Sequence, residues 1–221
     1  SSILGSFSSI YLIPCETALL CPGCYGEMQT PLPLDLINSN LNPDFEKLYS
    51  ICFDESSLTA KTWCEKTPRN IHYFANIFNH FGGKVNLINV VRNGLDVILS
   101  KHSSNPGNYW VQPDRWVSEV KLGITLSEKI NLLTIKYEDL VSSTSKVLNT
   151  IASYVNLVDV STLHPDWYQN TSLKTDFSYG GKVSQIHEGS IDKWKSDTSG
   201  RSNLLLNNKE AVQLLEYYNY L

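Results

Sequence analysis

Residues 84–102 contain the feature that most constrains the fold, because they predict a buried strand that ends in an arginine at the start of a helix. The run KVNLINVV is almost continuously aliphatic, which is typical of a parallel strand covered on both faces. Arg92 follows at the carboxyl end, and Asn93-Gly94 predicts a tight turn. The apolar residues after the turn predict a helix, with Arg92 and the hydroxyl of Ser100 close to its amino end.

This arrangement favours an anion as the ligand. A guanidinium fork, a hydroxyl donor and helix N–H groups together suit a phosphate better than any neutral ligand. An arginine after a strand, taken alone, more often pairs with a surface carboxylate, and Ser100 could be an ordinary helix residue. We favour the anion site for Arg92 and Ser100 because other segments carry matching chemistry.

Three other segments carry polar or basic residues that could belong to the same site. Lys66 follows a predicted strand over residues 61–64, and Thr67 is predicted to cap a helix that runs over about 68–81. A further strand, NLLTIK, ends at Tyr137. The segment GGKVSQIHEGSIDKWK, which contains Ser184, is glycine-rich and basic.

The remaining segments predict further helices in one domain without repeats. Residues 105–113 contain proline and glycine and are predicted to form a loop, after which Asp114 is predicted to cap a helix. The tail over residues 208–221 predicts a final helix. Alternating strands and helices indicate an α/β fold with a parallel sheet, whose ligands bind at the carboxyl ends of the strands.

With these motifs, the chain resembles the sulfotransferases that use 3′-phosphoadenosine 5′-phosphosulfate, in particular the protein-tyrosine sulfotransferases and their bacterial relatives. The resemblance extends from Ser1 to about Trp194. It implies a P-loop-NTPase-like three-layer sandwich with a central parallel sheet. It also implies transfer of a sulfuryl group from the nucleotide, as co-substrate, to an acceptor hydroxyl, without a metal.

The resemblance assigns a 3′-phosphate grip to Arg92 and Ser100. In that family an arginine and a serine eight positions later bind this phosphate, and Arg92 and Ser100 have that spacing. The family usually continues with Asp-Pro or Asp-Gly after the arginine, whereas this chain has Asn93-Gly94. The departure keeps a residue pair that favours a turn.

Four further residues take roles from the same resemblance. Glu16, which follows a predicted strand over residues 10–13, matches a glutamate that serves as general base. Such a base contributes roughly 10²–10⁴ in rate, although in isolation Glu16 would be interpreted as a capping or surface carboxylate. Lys66 matches a lysine that contacts the oxygen bridging phosphate and sulfate. Tyr137 matches a tyrosine that lines the nucleotide site, and Ser184 a serine near the reacting centre.

The family also carries a strand and a Pro-Arg-Ser-Gly-Thr-Thr loop before the helix that SSILGSF resembles. That loop supplies N–H groups and basic and hydroxyl side chains to the transferred group. The expectation is a single sulfotransferase domain over residues 1–221, truncated at the amino terminus and inactive by itself. The alternative is a non-catalytic nucleotide-binding relative. A kinase of similar architecture, dependent on a nucleoside triphosphate and magnesium, is a weaker alternative.

Composition narrows the classes of partner. Hydrophobic residues at 42% and charged residues at 18% exclude a disordered chain, and no apolar run approaches the ~20 residues of a membrane span. A net charge of −4 argues against general nucleic-acid binding. The acceptor remains open among protein tyrosine, carbohydrate and small alcohols or phenols, because acceptor pockets lie in variable loops such as 22–43 and 103–112. A homodimer is compatible with the sequence.

Cysteine and histidine usage indicates neither a metal site nor a disulfide framework. Cys21 and Cys24 form a CxxC motif, but a zinc site needs a second ligand pair, and the total of five cysteines is odd. We therefore expect reduced thiols, the CxxC in a turn, and a cytoplasmic location. The histidines share no metal-ligand spacing, and His187 is the second choice as catalytic base.

Overall fold

The computed structural model describes residues 1–26, 31–55, 62–102, 105–171, 175–176 and 181–221 as a mixture of helices and short strands. The strands, in chain order, are β1 (Ile10–Leu12), β2 (Thr62–Cys64), β3 (Leu87–Val91), β4 (Lys101–His102), β5 (Asn105–Tyr109), β6 (Leu132–Lys136), β7 (Thr175–Asp176) and β8 (Gly181–Lys182). The α-helices are α1 (Phe45–Glu55), α2 (Phe74–His80), α3 (Gly94–Val97), α4 (Pro113–Ser127), α5 (Tyr137–Ser142), α6 (Thr144–Val155), α7 (Trp167–Asn170), α8 (Asn203–Leu206) and α9 (Lys209–Tyr217).

The strands that carry the predicted site residues pair in parallel. β1 pairs with β2, and β3 pairs with β6, each as a two-stranded sheet. Two antiparallel pairs, β4 with β5 and β7 with β8, complete the strand pairing of the described residues. The predicted α/β fold with parallel strands is confirmed, although the structure pairs these four strands as two separate sheets.

Both parallel sheets contribute to the same two hydrophobic clusters. In one cluster, Ile10 of β1 and Ile135 of β6 are buried together with Leu148 of α6. In the other, Leu87 of β3 is buried together with Ile13 and with residues of α1 and α2. Leu87 and Val91 of β3 are buried, but Val90 is 55% exposed, so the prediction of a strand covered on both faces is correct only in part.

The region after Lys66 differs from its predicted form. A 3₁₀ helix over Asn70–Tyr73 precedes α2, so the single predicted helix over about 68–81 is wrong in its first turns. The predicted cap by Thr67 is also wrong, because the cap residue of the 3₁₀ helix is Arg69 and no side-chain cap bond forms. The Thr67 oxygen instead accepts from the N–H group of Ala18 at 3.3 Å, and its hydroxyl donates to Glu65 at 2.6 Å.

The predicted loop over residues 105–113 is wrong in its first half, because β5 forms there and pairs with β4. The N–H group of Trp110 donates to the carbonyl of Ser100 at 3.0 Å and closes the hairpin. The following helix, α4, begins at Pro113, and Gln112 rather than Asp114 is its cap residue. Proline suits this first position because its fixed φ matches the helix.

The final predicted helix is confirmed as α9, within narrower bounds than 208–221. The side chain of Asn208 caps it by accepting from the N–H group of Ala211 at 3.0 Å. Leu214 and Leu215 of this helix pack against Val91 and Leu95 in a third hydrophobic cluster. The carboxyl-terminal region therefore packs beside the turn that follows Arg92. Among the described residues, no helix is long and apolar enough to cross a membrane.

Candidate functional site

Arg92 and Tyr137 are in contact where β3 and β6 end. The parallel register places Val91 opposite Lys136, so the next residue of each strand lies at the same edge. The guanidinium carbon of Arg92 is 4.9 Å from the centre of the Tyr137 ring. A cation–π contact of this kind contributes about 0.5–1 kcal/mol at an exposed site. Strand pairing thus joins two residues predicted to bind the nucleotide.

The guanidinium of Arg92 has one buried donor without a partner. Its Nη2 donates to the carbonyl of Ser190, but its Nε is buried and unbonded. Trp116 holds the backbone at this point, because its Nε1 donates to the carbonyl of Arg92 at 3.1 Å. A buried unpaired donor is costly, so the Nε of Arg92 is a favourable position for an acceptor atom.

The Asn93-Gly94 pair forms the predicted turn. The side chain of Asn93 accepts from the N–H group of Leu95 at 3.0 Å and so caps α3. A Cβ atom at Gly94 would lie 2.5 Å from Cε2 of Trp116, so no larger residue fits without a shift. The Asn93 N–H group donates to Glu138 at 2.9 Å. The Asn93-Gly94 pair therefore forms a well-defined turn.

The helix after this turn is shorter than predicted and changes the position of Ser100. α3 ends at Val97, and Ser100 lies beyond its carboxyl end. The hydroxyl of Ser100 donates to the carbonyl of Asp96 at 3.2 Å. The prediction that Ser100 lies near the amino end of the helix is wrong, whereas its contact with a 3′-phosphate stays a prediction.

Asp96 fastens the carboxyl-terminal segment beside Arg92. Its carboxylate, 2% exposed, accepts from the N–H groups of Asp192 at 2.9 Å and Trp194 at 3.0 Å. Burial raises the pKa of Asp96, although the two N–H groups and the charge of Arg92 oppose that rise. Sequence reasoning missed Asp96. An acidic residue inside an otherwise apolar helix was the available signal.

Ser184 and His187 are exposed on the irregular stretch that follows β8. This stretch leads into the segment that Asp96 fastens, and Ser190 of that segment accepts from Arg92. The role of Ser184 near the reacting centre stays a prediction, as does the second-choice role of His187.

Glu16 and Lys66 form an ion pair beyond the ends of β1 and β2. The parallel pairing of these strands places Leu12 opposite Cys64 and so carries both following segments to one edge. The side chains remain accessible, with exposed fractions of 31% for Glu16 and 38% for Lys66. The two side chains predicted to act in catalysis are thus in direct contact.

Glu65 bonds to both segments that carry this ion pair. Its Oε1 accepts from the hydroxyls of Thr17 at 2.9 Å and Thr67 at 2.6 Å, and from the Thr17 N–H group at 3.4 Å. Its Oε2 accepts from the side-chain amide of Asn70. The Thr67 oxygen in turn accepts from the N–H group of Ala18 at 3.3 Å. Sequence reasoning missed Glu65, whose partner Thr17 is 48 residues away in the chain.

The CxxC motif lies in the predicted turn, a 3₁₀ helix over Pro22–Cys24. Both thiols are free and buried, and the thiol of Cys24 donates to the carbonyl of Arg69 at 3.8 Å. Arg69, 5% exposed, donates back to the carbonyl of Cys24 at 3.2 Å. Burial and the nearby Arg115 lower the pKa of Arg69. No group of three potential metal ligands occurs among the described residues.

Glu119 is a half-buried carboxylate that sequence reasoning missed. It accepts from Nε of Arg115 at 2.9 Å and lies 3.3 Å from Nε2 of His72. Burial raises the pKa of Glu119, but the His72 hydrogen bond and the charge of Arg115 outweigh it and leave that pKa below its ordinary value. This cluster joins α4 to the 3₁₀ helix after Lys66.

Comparisons of the chain with profiles of known protein families and with curated proteins find no match. The chemistry of the site therefore rests on its own residues. One part of the site offers a guanidinium beside an aromatic ring, an arrangement that suits a phosphate and a nucleobase. The other offers a carboxylate and an ammonium at accessible strand ends, which suits proton transfer and stabilisation of a leaving anion.

Proposed function

We propose that this chain is a sulfotransferase, which uses 3′-phosphoadenosine 5′-phosphosulfate as donor and a hydroxyl group as acceptor. One observation carries the proposal: two parallel strand pairs each end in a pair of candidate site residues. Glu16 pairs with Lys66 beyond β1 and β2, and Arg92 stacks on Tyr137 beyond β3 and β6. A P-loop-NTPase-like sandwich is the fold that this proposal implies.

In the proposed donor site, Arg92 binds the 3′-phosphate. Its unpaired Nε supplies a charge-assisted hydrogen bond, and its stacking on Tyr137 fixes the plane of the guanidinium. Ser100 donates its hydroxyl proton to the phosphate after releasing the carbonyl of Asp96, and Ser184 approaches the nucleotide from the carboxyl-terminal side. The segment fastened by Asp96 limits how far the guanidinium of Arg92 can move.

In the proposed transfer step, Glu16 takes the proton from the acceptor hydroxyl. The acceptor oxygen then bonds to sulfur while the bond from sulfur to the bridging phosphate oxygen breaks. The products are the sulfated acceptor and adenosine 3′,5′-bisphosphate. Lys66 stabilises the charge that develops on the bridging oxygen. In the free protein, Lys66 is paired with Glu16. When the donor binds, the ammonium of Lys66 moves towards the phosphosulfate. The carboxylate of Glu16 is then able to accept the proton.

The acceptor class stays open within this proposal, and protein tyrosine, carbohydrate and small hydroxyl compounds all fit the chemistry. Glu16 is accessible, so the acceptor hydroxyl reaches it from solvent. No metal takes part in the proposed step, and the nucleotide is consumed as a co-substrate.

Calorimetry with adenosine 3′,5′-bisphosphate and adenosine 5′-monophosphate tests the donor site on this chain. We expect the bisphosphate to bind at least about tenfold more tightly, since hydrogen bonds to charged groups contribute ~1.5–3 kcal/mol. Equal affinities would contradict the proposal. Transfer of radiolabelled sulfate to a panel of phenols, sugars and tyrosine peptides is measured on the protein that includes any segment the gene encodes upstream of Ser1. Binding without transfer in that protein would support the non-catalytic alternative.

A further inference from the structure

We infer that Glu65 is a positioning residue, which determines the relative position of Glu16 and Lys66 by hydrogen-bonding the chain after β1 to the chain after β2. The inference rests on the proposed function, because it assigns a purpose to that pair. Thr17 directly follows Glu16, and Glu65 directly precedes Lys66. The bonds of Glu65 to Thr17 therefore act within one residue of both predicted catalytic side chains.

The residues that hydrogen-bond to Glu65 are buried, as expected of side chains that hold the backbone in place. Their exposed fractions are small: Thr17 8%, Thr67 4% and Asn70 7%. In a poorly solvated site, the hydrogen bonds to an ionised carboxylate are stronger than at the surface. β1 and β2 are three residues each, so few backbone bonds hold the strand ends. Side-chain bonds are then needed to define where the next residues lie.

The backbone at Ala18 supports the same conclusion. Ala18 has a φ of 55°, which lies in the left-handed region that residues other than glycine, asparagine and aspartate rarely adopt. Such a conformation persists where the surroundings hold it. The Thr67 oxygen accepts from the Ala18 N–H group, and Thr67 itself donates to Glu65. The carboxylate of Glu65 thus fixes the turn that follows Glu16 through one intermediate hydroxyl.

Hydrogen exchange of the Thr17 and Ala18 amides, followed by NMR, tests these hydrogen bonds without any nucleotide. Glu65→Ala should accelerate exchange at both amides by about tenfold or more relative to the Ile13 amide, which bonds to the Cys64 carbonyl. Thr67→Val keeps the side-chain shape and should accelerate exchange at Ala18. The matched control is Glu128→Ala, which removes an exposed glutamate and should change neither amide. Unchanged exchange in both Glu65→Ala and Thr67→Val would overturn the inference.

Glu65→Gln separates positioning from proton transfer. Its amide oxygen can still accept from Thr17, and the Asn70 amide can turn because its Oδ1 has no partner. We therefore expect Glu65→Gln to keep most of the protection and most of kcat, whereas Glu65→Ala lowers kcat by about tenfold or more with little change in KM for the donor. A Glu65→Gln variant as impaired in kcat as Glu65→Ala, with normal exchange, would show that Glu65 acts by its charge or proton and overturn the inference.

The two proposals fail separately. A wild-type chain that neither binds adenosine 3′,5′-bisphosphate nor transfers sulfate would contradict the proposed function. The exchange measurement would still decide whether Glu65 holds the chain around Thr17 and Ala18, because no ligand enters it.

Discussion

The guanidinium of Arg92 lies 4.9 Å from the ring centre of Tyr137, although the two residues follow different strands. The parallel pairing of β3 with β6 produces this contact. It places the charge of Arg92 beside an aromatic face while leaving its buried Nε without a partner. A phosphate that bonds to this atom would find a guanidinium whose orientation is already restricted, which lowers the entropic cost of binding.

Arg92→Ala should weaken binding of adenosine 3′,5′-bisphosphate by tenfold or more and leave adenosine 5′-monophosphate nearly unaffected. The reason is the loss of charge-assisted bonds to the 3′-phosphate, worth ~1.5–3 kcal/mol each. Arg92→Lys keeps the charge without the fork and should recover only part of the affinity. Calorimetry provides the measurement, with Lys129→Ala as an exposed cationic control. Equal losses for both nucleotides would contradict the assignment.

Glu16→Gln, in the protein with any segment that the gene encodes upstream of Ser1, should lower kcat by roughly 10²-fold or more with little change in donor affinity, because glutamine cannot take the acceptor proton. Lys66→Ala should lower kcat and also some donor affinity, since the ammonium contacts phosphosulfate before the reaction. Steady-state kinetics over a pH series measure both effects, with Glu128→Gln as control. Near-normal turnover of Glu16→Gln across that series would show that another residue is the general base, and His187 would be the next residue to test.

Asp96→Asn should destabilise the protein by about 1–3 kcal/mol, because asparagine offers one acceptor where two backbone N–H groups need one each. The free energy lost with the second acceptor exceeds the free energy gained by removing a buried charge. Urea unfolding measures the change, and Asp35→Asn, at an exposed position, is the control. We also expect weaker binding of adenosine 3′,5′-bisphosphate, since the segment beside Arg92 loosens. Unchanged stability would show that Asp96 does not fasten that segment.

Glu119 should contribute a pH-dependent share of stability. Its pKa in the folded protein is below its ordinary value, since the His72 bond and the charge of Arg115 outweigh the opposing effect of burial. A carboxylate with a depressed folded pKa stabilises the fold above its unfolded pKa of about 4.3, and this contribution is lost as pH falls through the lower folded pKa. The difference in unfolding free energy between wild type and Glu119→Gln should therefore be largest near neutral pH and shrink in acid. A difference that stays constant from about pH 7 to about pH 3 would be inconsistent with this account.

Sequence reasoning succeeded where the signal is local. The aliphatic run before Arg92 predicted a strand, the Asn93-Gly94 pair predicted a turn, and the CxxC motif was expected in a turn; the structure confirms each. It failed where a side chain finds a partner far away in the chain. Thr67 has the sequence context of a helix cap, yet its oxygen accepts from the N–H group of Ala18. It also failed at residues 105–109, where pairing with β4 makes a strand of a proline- and glycine-containing segment.

Taken alone, the amino-acid sequence determined the α/β class, the strands before Lys66 and Arg92, and the residue types available for chemistry, because hydrophobic periodicity and turn composition act over a few neighbouring residues. Tertiary structure decided which of these residues meet. The Glu16–Lys66 pair and the Arg92–Tyr137 contact arise from parallel pairing of strands far apart in the chain. The roles of Glu65 and Asp96 also depend on distant donors. Such contacts follow from burial and hydrogen bonding summed over the whole fold, so no local pattern encodes them.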